Sequence, residues 1–248
     1  MGRRDLFVLL MMAVCFILWS GNTYSQSLDV GDHKFEVGGH FTLLTNSIVT
    51  EIDDLSVVCV TTPCPPPNIV LTKRRKGQPG FGGRVGYNLS SSIALEAELN
   101  FFPGADSFNE PEEFNDGHFL EGLFGVKAGK RFEKVGIFGK ARPGFLYASK
   151  GDLTPRPDVG CLAVIPAPAG CFHARSQSSF VLDVGAIFEV YPTARTIIRF
   201  DFGDTIVRLS ERNVSAVFNR GLPRLAVSPL PAETTHNFQG SIGMGFRF

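Results

Sequence analysis

Beyond Trp19 the sequence contains no apolar run of about 18 residues, so nothing downstream can cross a bilayer as a helix. It has no excess charge of either sign. Lys and Arg number 24 and Asp and Glu 24, which leaves no overall field to recruit nucleic acid or an anionic surface. It has one Trp and four Tyr against 23 Phe. No segment shows a 3.6-residue apolar period, which argues against a helical bundle. Cysteines are few and none shows two-residue ligand spacing. A Cys₄ or Cys/His173 metal centre is therefore not expected. The stretch GFGGRVG, Gly80 to Gly86, puts Val85 where a dinucleotide fingerprint needs its third glycine, and no helix pattern follows. No cofactor is expected. A nucleophilic enzyme needs a base within reach of its nucleophile. No His-x-Ser stands on a strand pattern, His173 and Ser176 fall in a loop, and no acid pair stands beside a histidine at a loop-strand rim. The expectation is a protein that is not an enzyme.

The N-terminus is a targeting segment. Arg3 and Arg4 form a basic start, followed by an unbroken apolar run from Leu6 to Trp19. Thr23-Tyr24-Ser25 then offers small side chains at the −3 and −1 positions of a cut before Gln26. Residues 1–25 read as a secretory signal peptide and 26–248 as one domain. Val14 before Cys15 does not fit a lipid-attachment signal.

The mature chain contains eight segments of period-2 alternation. They are Phe35–Leu43, Phe81–Leu89, Ile93–Phe101, Leu120–Ala128, Val135–Tyr147, Phe180–Val190, Ile198–Phe202 and Phe238–Phe248. Short turns at Asn88–Ser92, Phe132–Lys134 and Tyr191–Arg195 alternate with long connections at Thr45–Pro79, Pro103–Gly117, Ser149–Ser178 and Leu209–His236. A soluble sandwich has no reason to collect every long loop at one end. An outer-membrane barrel has short periplasmic turns, long external loops, an even strand number and both termini on the periplasmic side.

The second face of each strand is more informative. It carries Glu36, Arg84, Glu96, Glu98, Glu121, Lys127, Arg131, Lys140, Arg142, Asp183, Glu189, Arg199, Asp201 and Arg247, seven acids and seven bases, and His40 shares it. Arg or Lys facing lipid at the midplane would cost about 2–4 kcal/mol each. Inside a narrow barrel these charges can pair, as buried charges must. The expected fold is all-β, an eight-stranded antiparallel up-and-down transmembrane barrel. Its lumen should be a packed polar plug. Inward glycines at Gly86, Gly125, Gly185, Gly203, Gly243 and Gly245 could leave water space, which keeps a small pore open as an alternative.

With the final GMGFRF and the loop order in place, the chain resembles the small eight-stranded outer-membrane barrel superfamily. That group includes the membrane domain of outer membrane protein A, outer membrane protein X and the opacity proteins. The likeness covers nearly all of Lys34–Phe248 and includes GFGGRVGYNL, IALEAELNFF and EGLFGVKAGKRF. It implies the outer membrane of a Gram-negative-type bacterium. Phe246 and Phe248 are similar to the C-terminal signal read by the barrel-assembly machinery. An end at the eighth strand implies no separate periplasmic wall-binding domain.

Cys59 and Cys64 share the first long loop, and Cys161 and Cys171 the third. Three connectivities exist, and local pairs formed in an oxidising compartment are expected. The basic run Lys73, Arg74, Arg75, Lys76 just before the second strand could meet lipopolysaccharide phosphates or anionic glycans, or could be a solvated loop base. Glu110, Glu112, Glu113 and Asp116 read as solvating charges or a weak cation site. The functional expectation is a monomeric envelope protein surrounded by outer-membrane lipid and lipopolysaccharide. It would act in envelope integrity or bind an extracellular ligand through its loops. A small porin is the alternative and a lipid-modifying enzyme the third reading.

Overall fold

The computed structural model describes residues 33–52, 71–105, 117–155, 167–168, 172–219 and 223–248. Eleven strands occupy them: β1 (Phe35–Ile52), β2 (Leu71–Asn88), β3 (Ile93–Ala105), β4 (Gly117–Arg131), β5 (Val135–Pro155), β6 (Ala167–Pro168), β7 (Phe172–Val190), β8 (Thr196–Leu209), β9 (Arg212–Asn219), β10 (Pro223–Leu230) and β11 (Glu233–Arg247). Eight of them close a barrel in the order β1-β11-β8-β7-β5-β4-β3-β2, while β6, β10 and β9 form a small separate sheet. All barrel neighbours are antiparallel. The closing seam also holds the chain's last residue. Phe248 accepts a backbone hydrogen bond from Phe35 at 3.2 Å and donates one back at 2.9 Å.

The register fixes the barrel's shape. It can be followed from Leu44 through Gln239, Gly203, Gly185, Lys140, Lys127, Ala94 and Asn88. It then returns to β1 at Lys34, ten residues from its start. With a rise of about 3.3 Å per residue and a strand spacing of about 4.8 Å, that stagger tilts eight strands by about 40°. Ten residues of strand then project onto the axis as about 25 Å, the height of the apolar band of an outer-membrane barrel.

The surface matches that band. Phe41 is 74% exposed, and Val37, Phe81, Leu99, Phe124, Ile137, Phe180, Phe202, Ile242 and Met244 also face outward. Phe35, Tyr87, Phe132, Phe246 and Phe248 ring the short-turn end, and Phe81, Phe145, Phe180 and Phe238 the other. The alternate positions are buried and mostly charged or polar. This is the inverse of a soluble barrel and identifies a transmembrane one.

Three of the long connections differ from the sequence reading. β1 and β2 stay paired from Thr45↔Gly77 out to Ile52↔Leu71, so the basic run Lys73–Lys76 lies in a strand. β5 and β7 pair again at Asp152↔Arg175 to Pro155↔Phe172 beyond a register shift. The connection from Leu209 to His236 holds the β9–β10 hairpin. Above the lipid, water imposes no alternation of apolar side chains, but the backbone still needs partners, so the ladders continue without the pattern that marks them in sequence.

Candidate functional site

The lumen is the candidate site. All fourteen charged residues on the second strand face lie inside it, thirteen of them buried as whole residues. Arg131 is half-buried, with its side chain 2% exposed. Inward phase puts them there: each is an even step from Glu36 or its paired partners, and lipid claims the intervening positions.

Toward the short-turn end, Lys127 Nζ donates to Glu36 at 2.9 Å and Glu189 at 2.7 Å and stands 3.3 Å from Glu96. Arg131 reaches Glu36 at 2.9 Å and donates through Nε to the Tyr191 hydroxyl at 3.0 Å. That hydroxyl donates to Glu189 at 2.6 Å. Arg199 grips both carboxylate oxygens of Glu96 and donates to Asp201 through Nε at 2.8 Å. Lys140 bridges Asp183 at 2.9 Å and Asp201 at 2.6 Å. Arg142 donates to Glu98 at 2.6 Å and twice to Asp183, at 2.8 and 2.5 Å. Shared carboxylates make these pairs one network.

Equal numbers of acids and bases do not give complete pairing. Among the described residues, Arg84 and Arg247 have no carboxylate within ion-pair distance. Nη2 of Arg84 and Nε and Nη1 of Arg247 have no hydrogen-bond partner. Glu121, fully buried, has no cation. Its Oε2 accepts from Asn100 Nδ2 and Gln239 Nε2, each at 2.8 Å. Asn100 also donates to Glu98 at 2.9 Å and accepts from His40 Nε2 at 2.6 Å. Thr205 donates to Gln239 at 2.5 Å. These groups form an amide and hydroxyl layer above the ion pairs.

Higher still an apolar cluster fills part of the lumen, beside the buried polar side chains of Gln78, Ser179 and Thr235, which pair with Leu44, Leu146 and Val207. Leu44, Phe102, Phe119, Leu123, Leu146, Ala148, Val181, Val207 and Leu209 form one buried cluster. The sequence reading expected a wholly polar plug and missed this stopper. Several of the inward glycines leave no room for a side chain. A Cβ on Gly203 would stand 2.7 Å from the Val184 carbonyl oxygen and 2.8 Å from Asp183 Oδ1, and one on Gly243 would stand 2.5 Å from His40 Cβ. At Gly86 an added Cβ would meet only ordinary contacts, Glu36 Cβ at 3.5 Å and the Leu95 oxygen at 3.6 Å.

Eight tilted strands with an apolar outside and a charged, ion-paired inside leave one architecture. The fold is that of the small outer-membrane barrels. No protein-family model matches the chain and no curated protein matches it by sequence. Solved structures do match it. The attachment invasion locus protein Ail of Yersinia pestis, solved in complex with the heparin analogue sucrose octasulfate, is 14% identical. The match covers 88% of this chain and 99% of Ail, at a TM-score of 0.42. Neisserial surface protein A is 13% identical over 86% of this chain and 97% of its own, at 0.45. The N-terminal barrel domain of Pseudomonas aeruginosa OprF is 10% identical over 88% and 99%, at 0.40.

The remaining candidate residues fall elsewhere. Cys59, Cys64, Cys161 and Cys171, the signal segment and the acidic stretch from Glu110 to Asp116 lie outside the described residues. Lys73, Arg74, Arg75 and Lys76 run along the upper part of β2, and Arg75 and Lys76 are exposed. Phe246 and Phe248 face outward at the closing seam. One pair escaped the sequence reading: His236 Nδ1 and Asp204 Oδ2 meet at 2.6 Å on the outer surface. Extending the alternation two residues past Phe202 would have put Asp204 on the outward face. Among the described residues no hydroxyl is bonded to His236.

Proposed function

We propose that this is an outer-membrane protein of a Gram-negative-type envelope whose barrel conducts nothing and whose external hairpins bind a surface ligand or brace the envelope. The observation that carries the reading is the lumen, where an ion-pair network and an apolar stopper lie in series. A pore needs a continuous wettable path, and either layer alone interrupts one.

In this reading residues 1–25 direct export, Phe246 and Phe248 are read by the barrel-assembly machinery, and the monomer sits among lipid and lipopolysaccharide. The upper β1–β2 ribbon is the contact element. Among the described residues β2 pairs β3 only from Phe81 onward, and Lys73–Lys76 lie beyond that pairing on the β1–β2 ribbon. Four consecutive cations on such a ribbon suit phosphate or sulfate groups of lipopolysaccharide or anionic glycans. Disulfides within the first and third connections would stiffen those contacts. No catalytic step and no cofactor is assigned.

The test is planar-bilayer conductance of protein whose folding is confirmed by a heat-dependent gel-mobility shift. A silent bilayer with folded protein is expected. Steady openings of the unmodified protein would overturn the closed-lumen reading in favour of a small porin. Changing Lys73, Arg74, Arg75 and Lys76 together to Gln should weaken lipopolysaccharide binding, and unchanged binding would remove the ribbon from the proposal.

A further inference from the structure

Arg247 is buried at the short-turn mouth, next to the last residue, with 1% of its surface exposed. Its backbone N–H donates to the Arg195 carbonyl at 2.8 Å, which fixes the strand there. Its guanidinium carbon stands 4.1 Å from the centre of the Tyr191 ring, and Arg131 stacks on the same ring at 5.6 Å. Stacking uses the flat face of a guanidinium and leaves its N–H groups, which lie in the plane, needing acceptors. Nε and Nη1 of Arg247 have none.

Among the described residues no carboxylate lies within ion-pair distance of Arg247, and the acids near it are engaged by other groups. Glu36 is held by Lys127 and Arg131, and Glu189 by Lys127 and Tyr191. Glu96 belongs to Arg199. Among the described residues the lumen acid without a cation is Glu121, which is held by the amides of Asn100 and Gln239. Around the mouth, exposed Lys34, Lys130, Lys134 and Arg195 face a single exposed side-chain acid, Glu133, among the described residues. These groups stand level with Phe35, Tyr87, Phe132 and Phe248, the lower aromatic ring, where phospholipid headgroups lie.

We propose that Arg247, with Arg131 beside it, holds the phosphate of an anionic phospholipid headgroup from the periplasmic leaflet at this mouth. The in-plane N–H fork of a guanidinium fits two phosphate oxygens at once. The rim cations draw the headgroup in. The inference rests on the orientation in the proposed function, with the short turns facing the periplasm, but its test is independent of conductance.

Wild type and Arg247→Gln are refolded in phosphate-free maltoside micelles, and the midpoint of the heat-dependent mobility shift is measured. Without phosphate, Arg247→Gln should unfold several degrees higher than wild type, because an unsatisfied buried charge has been removed. Short-chain phosphatidylglycerol should raise the wild-type midpoint by several degrees, leave Arg247→Gln unchanged, and broaden the lipid ³¹P resonance with wild type alone. Equal stabilisation of both proteins, or no stabilisation of wild type, overturns the proposal. An equal effect of inorganic phosphate on wild type overturns the lipid as source and leaves a free-anion site. If Arg247→Gln does not refold, Arg247→Lys keeps the charge without the fork, and it should lose most of the lipid-induced shift. A full shift with Lys overturns the fork.

Discussion

Two barriers in series behave differently from one. If the ion-pair network and the apolar stopper each block the lumen, removing either alone leaves the other in place. Arg142→Ala breaches the lower barrier. It withdraws the donors at 2.6 Å on Glu98 and at 2.5 and 2.8 Å on Asp183. Breaking a buried pair costs about 3–5 kcal/mol. Lys140 still holds Asp183 at 2.9 Å and Asn100 still donates to Glu98 at 2.9 Å, so the low end, about 3 kcal/mol, is expected. Phe102→Ser breaches the upper barrier. Phe102 is fully buried and lies against Gly80, where an added Cβ would sit 2.5 Å from its ring. Deleting such a ring costs about 3–5 kcal/mol, and the new hydroxyl lets water enter the cavity. Arg142 belongs to the ion-pair network and Phe102 to the apolar cluster, so the costs should add. The assay is single-channel conductance beside the midpoint of the mobility shift. Each single variant should lower the midpoint and stay silent, and the double variant should conduct. Steady openings from Arg142→Ala alone would refute the reasoning, because the stopper would then be no barrier.

Glu121→Gln should leave the midpoint unchanged or raise it, since Glu121 has amide donors but no cation, whereas Glu96→Gln strips Arg199 and should cost about 3–5 kcal/mol. Thermal mobility shifts of the two variants, compared in one detergent, check this, and a large loss from Glu121→Gln would mean that its charge is compensated. Adjacent glycines on β1 should differ as sharply. An added Cβ on Gly38 would stand 2.7 Å from the Met244 carbonyl oxygen, while one on Gly39 meets nothing nearer than the Gly82 oxygen at 3.7 Å. Gly38→Ala should therefore depress refolding yield and Gly39→Ala should not. Asp204→Leu should stabilise the barrel in lipid by replacing a charged group at the edge of the apolar band, and its midpoint in vesicles against wild type tests that.

What was readable in the sequence follows which demands the solvent makes. Lipid requires an apolar side chain at every second residue for about ten residues, so the eight spans, their outward faces and the short turns could be read from Phe35 to Phe248 without coordinates. The fourteen charges could be placed inside by the same parity. Where the lumen departs from a polar interior, parity says nothing. Leu44, Phe102, Phe119, Leu146, Val181 and Val207 stand on the inward phase, opposite the face that marks the strands, so a reading of the greasy face passes over them. Above the bilayer the β1–β2 and β5–β7 ladders persist on backbone hydrogen bonds alone, and residues such as Lys73–Lys76 look like loop. Pairing is a matter of reach as well as number. Glu121 on β4 and Arg247 on β11 balance in a count of charges, yet they lie at opposite ends of the lumen. Among the described residues, a lumen with equal numbers of acids and bases therefore keeps two cations without a carboxylate, Arg84 and Arg247, and one carboxylate held only by amides, Glu121.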